Sequence, residues 1–151
     1  MEYLEPPGSL LLAVRLMYAG AALTALGAAA DVAGVGGAVR SAHPHATAAQ
    51  LHASENVLVV AVVAAALLEI CLWIFLARVN RGGLGWGRIA ASVLCAIDAG
   101  YLAYVLAGSG SVAGKAVTAL IWLAGAGAVF SLWRRESSAY FRAPIAPSPP
   151  A

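Results

Sequence analysis

Charge is scarce in this chain. Charged side chains make up 11% of its 151 residues, lysine occurs once, at Lys115, and hydrophobic residues make up 62%. Soluble domains carry about 25% charged residues, so this composition excludes a soluble globular enzyme, a disordered chain and a nucleic-acid binder. Cysteine is nearly absent as well. Cys71 and Cys95 form no Cys-x-x-Cys pattern, which excludes a disulfide scaffold, a zinc ribbon and a thioredoxin-like redox motif. The glycines at 34, 36 and 37, and those at 82, 83, 85 and 87, follow no strand pattern, so neither group makes a nucleotide-binding loop. No Ser/His/Asp or Cys/His constellation, metal set or cofactor motif stands out, and the expectation is a non-enzyme without a cofactor. Arginine outnumbers lysine, and alanine and glycine are abundant, the codon signature of a high-GC genome.

What the chain has is long apolar runs, and its mean hydropathy is +0.83. Four runs are found, from about Ser9 to Ala30, Val57 to Ala77, Ile89 to Ala107 and Ala116 to Trp133. Each is near the roughly 20 residues that a helix needs to cross a hydrocarbon core of about 30 Å. In lipid, a helix satisfies its own backbone groups within one segment, and the alternating segments of about ten residues that a membrane barrel needs are missing. The expected fold is an all-α, four-transmembrane-helix bundle forming one domain over residues 1–141, with the lipid bilayer as its first partner. With the N-terminus inside, the cytoplasmic side receives Arg78, Arg81, Arg88, Arg134, Arg135 and Arg142, while the outside receives Arg40 and Lys115. Both termini are therefore expected in the cytoplasm of a plasma-membrane, multi-pass protein. Ala28–Ala30 offers small residues for signal cleavage, but Glu2, Glu5 and Arg15 are wrong for a signal peptide, so the first span is expected to stay.

The connections differ in length. Asn80–Gly85 makes a tight basic turn, Gly108–Ser111 joins the last two spans, and the first outer loop is expected from Asp31 to about Ser54. Within that loop, Thr47-Ala48-Ala49-Gln50 has capping-box spacing, which predicts that the second helix starts near Thr47 and projects beyond the lipid. Prolines at 144, 147, 149 and 150 predict a disordered tail over 142–151.

Three ionisable residues fall inside the apolar runs: Arg15, Glu69 and Asp98. A charge near a helix centre costs about 2.5–3.5 kcal/mol on insertion scales, so such groups face protein or water and find partners. From the cytoplasmic helix ends their depths are roughly 9 Å for Arg15, 13 Å for Glu69 and 15 Å for Asp98, so an intramembrane cluster of the three is a candidate site. One cation against two carboxylates leaves a surplus negative charge, relieved by a retained proton or by another cation. The plainer alternative has Arg15 snorkelling to the phosphates and both carboxyls bonded to neighbouring helices. Trp73 shares the helix face of Glu69 with Val62, Ala65 and Ala66, and Tyr101 shares that of Asp98 with Leu94 and Cys95. Cys71 and Cys95 are expected as free thiols. His43, His45 and His52 form a weak candidate metal set, against the plainer reading of a solvated loop. Small-residue spacings such as Gly20-x-x-x-Thr24 and Ala124-x-x-x-Ala128 allow close helix approach. Trp86 and Trp133 are placed as interface anchors.

Three segments carry a family resemblance: Ala13-Val14-Arg15-Leu16-Met17-Tyr18-Ala19-Gly20, the stretch from Leu72 to Ile89 around Arg78-Val79-Asn80-Arg81-Gly82-Gly83, and Leu132-Trp133-Arg134-Arg135-Glu136-Ser137-Ser138-Ala139-Tyr140-Phe141. Together they resemble small integral membrane proteins of actinobacteria, of the streptomycete and mycobacterial type. The resemblance implies the four-span order and assigns no residue a role. Small multidrug-resistance exporters also have four short helices, but their proton-exchanging glutamate lies in the first helix, where this chain has Arg15. DoxX-like proteins share the span count and no deciding motif. The leading expectation is a non-enzymatic scaffold or modulator, acting on a membrane-protein partner or as a homo-oligomer. The alternative is a small proton- or ion-coupled transporter or channel that uses Glu69 and Asp98. Reporter fusions at the two ends should both read cytoplasmic; ends on opposite faces would overturn the four-span order.

Overall fold

A computed structural model describes residues 6–108 and 110–141; the proline-rich tail expected over 142–151 lies outside the described residues. The helices are α1 (Gly8–Ala42), α2 (Ala48–Arg81), α3 (Gly85–Ala107), α4 (Val112–Leu132) and the short α5 (Arg135–Tyr140), with no strand among the described residues. The first four are each long and apolar enough to cross a membrane. In α2 and α3 only 6% of the most apolar window is buried within the protein, and Leu26, Leu68, Ile97 and Phe130 stand outward. In water such a surface is an aggregation liability; against acyl chains it is a matched solvent.

The first connection differs from the sequence expectation. α1 continues as helix to Ala42 instead of ending near Ala30, so the loop expected from Asp31 to Ser54 shrinks to the turn at 43–47. The reason is packing. No proline interrupts residues 31–42, Val35 and Val39 are buried, and Gly36 sits so close to α2 that a Cβ there would come within 2.9 Å of Glu55 Oε1. Tertiary support of this kind overrides the poor helix propensity of three glycines. Beyond the turn, Gln50 N donates to Thr47 Oγ1 at 3.4 Å and Thr47 N donates to Gln50 Oε1 at 2.9 Å, a reciprocal cap that opens α2. At about 1.5 Å per residue, 35-residue α1 is about 52 Å long and 21-residue α4 about 32 Å. The α1–α2 hairpin therefore overhangs the shorter pair. Lys115 Nζ closes the short pair by donating to Leu106 O at 3.0 Å and Gly108 O at 2.7 Å, satisfying carbonyls at the end of α3.

In cross-section the order is α2, α1, α4, α3. Helix α1 packs along both α2 and α4, α3 leans on α4, and α2 and α3 touch sparingly. The core gathers at the end carrying Arg78, Arg81, Arg88, Arg134 and Arg135, called here the arginine end. It joins Leu10, Ala13, Val14 and Met17 of α1 to Leu76 and Ala77 of α2, Ala91 of α3, and Ala128 and Leu132 of α4. Helix α5, which the sequence did not signal, folds across this end. Ser137 is fully buried; it donates to Ser131 O at 3.0 Å and accepts from Ser9 Oγ at 2.8 Å. Tyr140 covers Gly83, whose φ of +72° and lack of a Cβ let the turn pass beneath the ring. The Arg88 guanidinium lies 4.7 Å over Trp133 and 5.5 Å from the Phe141 ring centre, a cation–π arrangement.

The α2–α3 turn is held by one close approach. Asn80 is fully buried and donates to Leu76 O at 2.9 Å. A Cβ on Gly87 would meet Val79 Cγ1 at 2.6 Å and Asn80 Oδ1 at 3.1 Å. Gly87→Ala should therefore cost about 1–3 kcal/mol by overpacking. Gly85→Ala, where a Cβ meets open space, should cost nothing. Thermal unfolding of the two variants in mild detergent measures the difference.

Candidate functional site: two carboxylates between two cavities

Glu69 projects from the middle of α2, one helical turn before Trp73. Its Oε1 accepts a hydrogen bond from Thr24 Oγ1 of α1 at 3.0 Å and another from Trp73 Nε1 at 3.4 Å. The indole reaches this position because two neighbours lack side chains. A Cβ on Gly20 of α1 would lie 2.9 Å from Trp73 Cε2 and Cζ2, and one on Gly125 of α4 would lie 3.2 Å from Cη2. Trp73 thus occupies a slot between α1 and α4, with its N–H turned to the carboxylate.

Two cavities meet at this level. The larger, about 550 Å³, is lined by all four long helices on the side of the overhang: Thr24, Gly27, Ala28, Ala30 and Asp31 of α1, Val62, Ala65 and Ala66 of α2, Tyr101 and Val105 of α3, and Lys115, Thr118 and Trp122 of α4. The smaller, about 100 Å³, lies toward the arginine end among Met17, Leu72, Trp73, Leu76, Leu94, Cys95 and Ala128. Glu69 and Asp98 line both. Beyond the smaller cavity lies the packed core. The arrangement is a vestibule open toward the overhang, floored by two carboxyls, with an apolar chamber beneath and a seal under that.

The structure brings Glu69 and Asp98 together and leaves Arg15 out. Ala13, Val14, Met17, Gly20, Ala21 and Thr24 turn into the bundle, so Arg15, on the opposite side of α1, is exposed. It lines neither cavity and forms no ion pair with either carboxyl. Tyr101 lines the vestibule one turn from Asp98 without a hydrogen bond between them. Cys95 lines the chamber, Cys71 is exposed, and both are free thiols. The histidine set is not assembled. His43 Nδ1 lies 3.3 Å from Val39 O, and His52 faces Glu55 at 3.6 Å. No three His, Cys, Asp or Glu side chains among the described residues could hold a metal ion. The candidate fails because α1 runs on to Ala42, confining His43 and His45 to the turn while His52 lies along α2.

Thr24, Gly20 and Gly125 were not read as site residues from the sequence. Gly20-x-x-x-Thr24 was visible as a small-residue spacing, but in a chain this rich in alanine and glycine such spacings carry little specificity; Gly125 gave no signal. Trp122 also lines the vestibule, and its buried Nε1 has no acceptor among the described residues.

Compared with known protein families, curated proteins and solved structures, the chain matches none.

The slot and the hydrogen bond are separable. Gly20→Ala should drive the indole from its place at a cost of about 1–3 kcal/mol. Thr24→Val, which keeps the shape and removes one donor to Glu69, should cost about 0.5–1 kcal/mol, the usual range for hydrogen bonds between membrane helices. Thermal unfolding in detergent tests both; equal costs would argue that the slot is slack.

Proposed function

We propose that the protein is a small cation-coupled carrier of the plasma membrane, with Glu69 and Asp98 as the groups that take and release the cation or proton. Its arginine end faces the cytoplasm on this reading, because basic residues stay on that side. One observation carries the reading. Two carboxyls share the boundary of two cavities, and neither is ion-paired among the described residues: Lys115, which lines the vestibule together with Asp31, donates to the carbonyls of Leu106 and Gly108 instead. Intramembrane carboxyls that face a cavity and are not ion-paired are placed to exchange protons or cations with whatever enters it.

The geometry also supplies what a carrier needs on either side of such a site. One side is open through the vestibule, and the other is closed by the apolar core and α5. Trp73 stands between them, hydrogen-bonded to Glu69 itself. Neutralising Glu69 weakens what holds the indole, which couples occupancy of the site to the packing that closes it. Alternating access requires a bistable element of this kind.

In liposomes loaded with a pH-sensitive dye, the reconstituted protein should collapse an imposed pH gradient in the presence of a transported cation. Glu69→Gln or Asp98→Asn should lower that flux at least tenfold. A stable Glu69→Gln variant with unchanged flux would return the protein to the scaffold or modulator role expected from its sequence.

A further inference from the structure

We infer that the cation this site takes is an organic ammonium with an apolar body, its head between Glu69 and Asp98 and its hydrocarbon in the chamber toward Met17, Leu76 and Leu94. The assignment rests on the carrier reading for its site and adds the class of substrate.

The observation behind it is the chamber rather than the carboxyls. A space of about 100 Å³ continues past Glu69 and Asp98 toward the arginine end, and apart from those two carboxyls its wall is almost wholly apolar. A hydrated inorganic ion gains nothing by having such a space beneath it, whereas an alkyl group gains from each methylene removed from water. The oxygen count argues the same way. Calcium takes six to eight oxygen ligands and magnesium a near-ideal octahedron. Here the two carboxyls are supplemented by the Thr24 hydroxyl, and no set of three His, Cys, Asp or Glu side chains that could hold a metal exists among the described residues. A cation that carries its own apolar shell needs no such ligand cage. Aromatic residues are at hand: Tyr101 and Trp122 line the vestibule and Trp73 the chamber, and a ring face turned to a poorly hydrated ammonium attracts it. The vestibule volume of about 550 Å³ falls within the range of about 300–1,000 Å³ typical of small-molecule sites. Access fits as well. Leu72, Leu76, Leu94 and Cys95 of the chamber wall belong to α2 and α3, the two helices that touch sparingly, so a hydrocarbon tail can reach the chamber from between acyl chains.

The test uses the full chain in phosphatidylcholine nanodiscs, with binding of tetramethylammonium, butyltrimethylammonium and hexyltrimethylammonium measured by equilibrium dialysis against protein-free nanodiscs. Protein-specific affinity should rise about fourfold per added methylene until the chamber is full, Glu69→Gln should lower it at least tenfold, and hexanol, which lacks the charge, should show no protein-specific binding. An affinity flat across the series, or one that hexanol matches, overturns the assignment even if Glu69→Gln fails to fold, because the wild-type series decides it. So does stoichiometric binding of Mn²⁺ that displaces the ammonium. Loss of proton flux in Glu69→Gln without any ammonium binding removes the substrate class and leaves the carrier; ammonium binding without flux upholds the assignment and removes the transport.

Discussion

A carboxylate in the middle of a bilayer must find donors, and Glu69 finds two on one oxygen, from Thr24 and from Trp73. The rest of the site follows from that requirement. The Thr24 hydroxyl ties α1 to α2 at mid-depth. The indole must lie flat between α1 and α4 for its N–H to reach the same oxygen, so both helices need a residue without a side chain where the ring passes, and Gly20 and Gly125 supply it. A polar group that water would have satisfied anywhere else thus dictates the spacing of three helices. The energy of each bond is modest, on the order of 0.6 kcal/mol for an average interhelical hydrogen bond. Their combined effect is positional: they fix where Glu69 points.

The same packing explains why the bundle is dense at one end and open at the other. On the arginine side of Trp73 the inward positions of α1 and α4 carry Leu10, Ala13, Val14, Met17, Ala128 and Leu132, which interlock. On the other side α1, α2 and α4 present small residues, among them Gly27, Ala28, Ala65, Ala66, Ala113 and Gly114, and these leave a cavity instead of a core. Small residues allow close helix approach where both partners are small and straight; around a bulky wedge they leave space. Helix α5 completes the asymmetry through Ser137, which bonds to the ends of α1 and α4 at once.

Much of this was legible in the sequence, for identifiable reasons. The four spans followed from run length alone, since the solvent they require is uniform. Thr47 and Gln50 marked the start of α2 because a capping box is a local interaction that needs no tertiary context. The end of α1 was not legible, because residues 31–42 are helical by virtue of α2 lying alongside. α5 was not legible either: six residues cannot show a period, and its one buried side chain, Ser137, is polar. Within the site, Glu69, Asp98 and Trp73 stood out by residue type. Arg15 did too, and depth placed it near them, but depth is one coordinate. The helix face is the other, and the alternation of Ala13, Val14 and Met17 turns Arg15 outward.

That outward turn decides the electrostatics. Were Arg15 inside, one cation would face the two carboxyls and leave one negative charge over, an ion network in which removing a partner would leave a buried charge. With Arg15 outside, the vestibule is lined by three acidic groups, Glu69, Asp98 and Asp31, and by one cation, Lys115, whose ammonium donates to helix-end carbonyls. Neither Glu69 nor Asp98 forms an ion pair among the described residues, and an unpaired charge in a membrane span is costly, so a proton or a cation of another kind at either carboxyl lowers that cost. These two compete for the same oxygens. On the carrier reading proposed above, that competition is the exchange on which coupled transport depends.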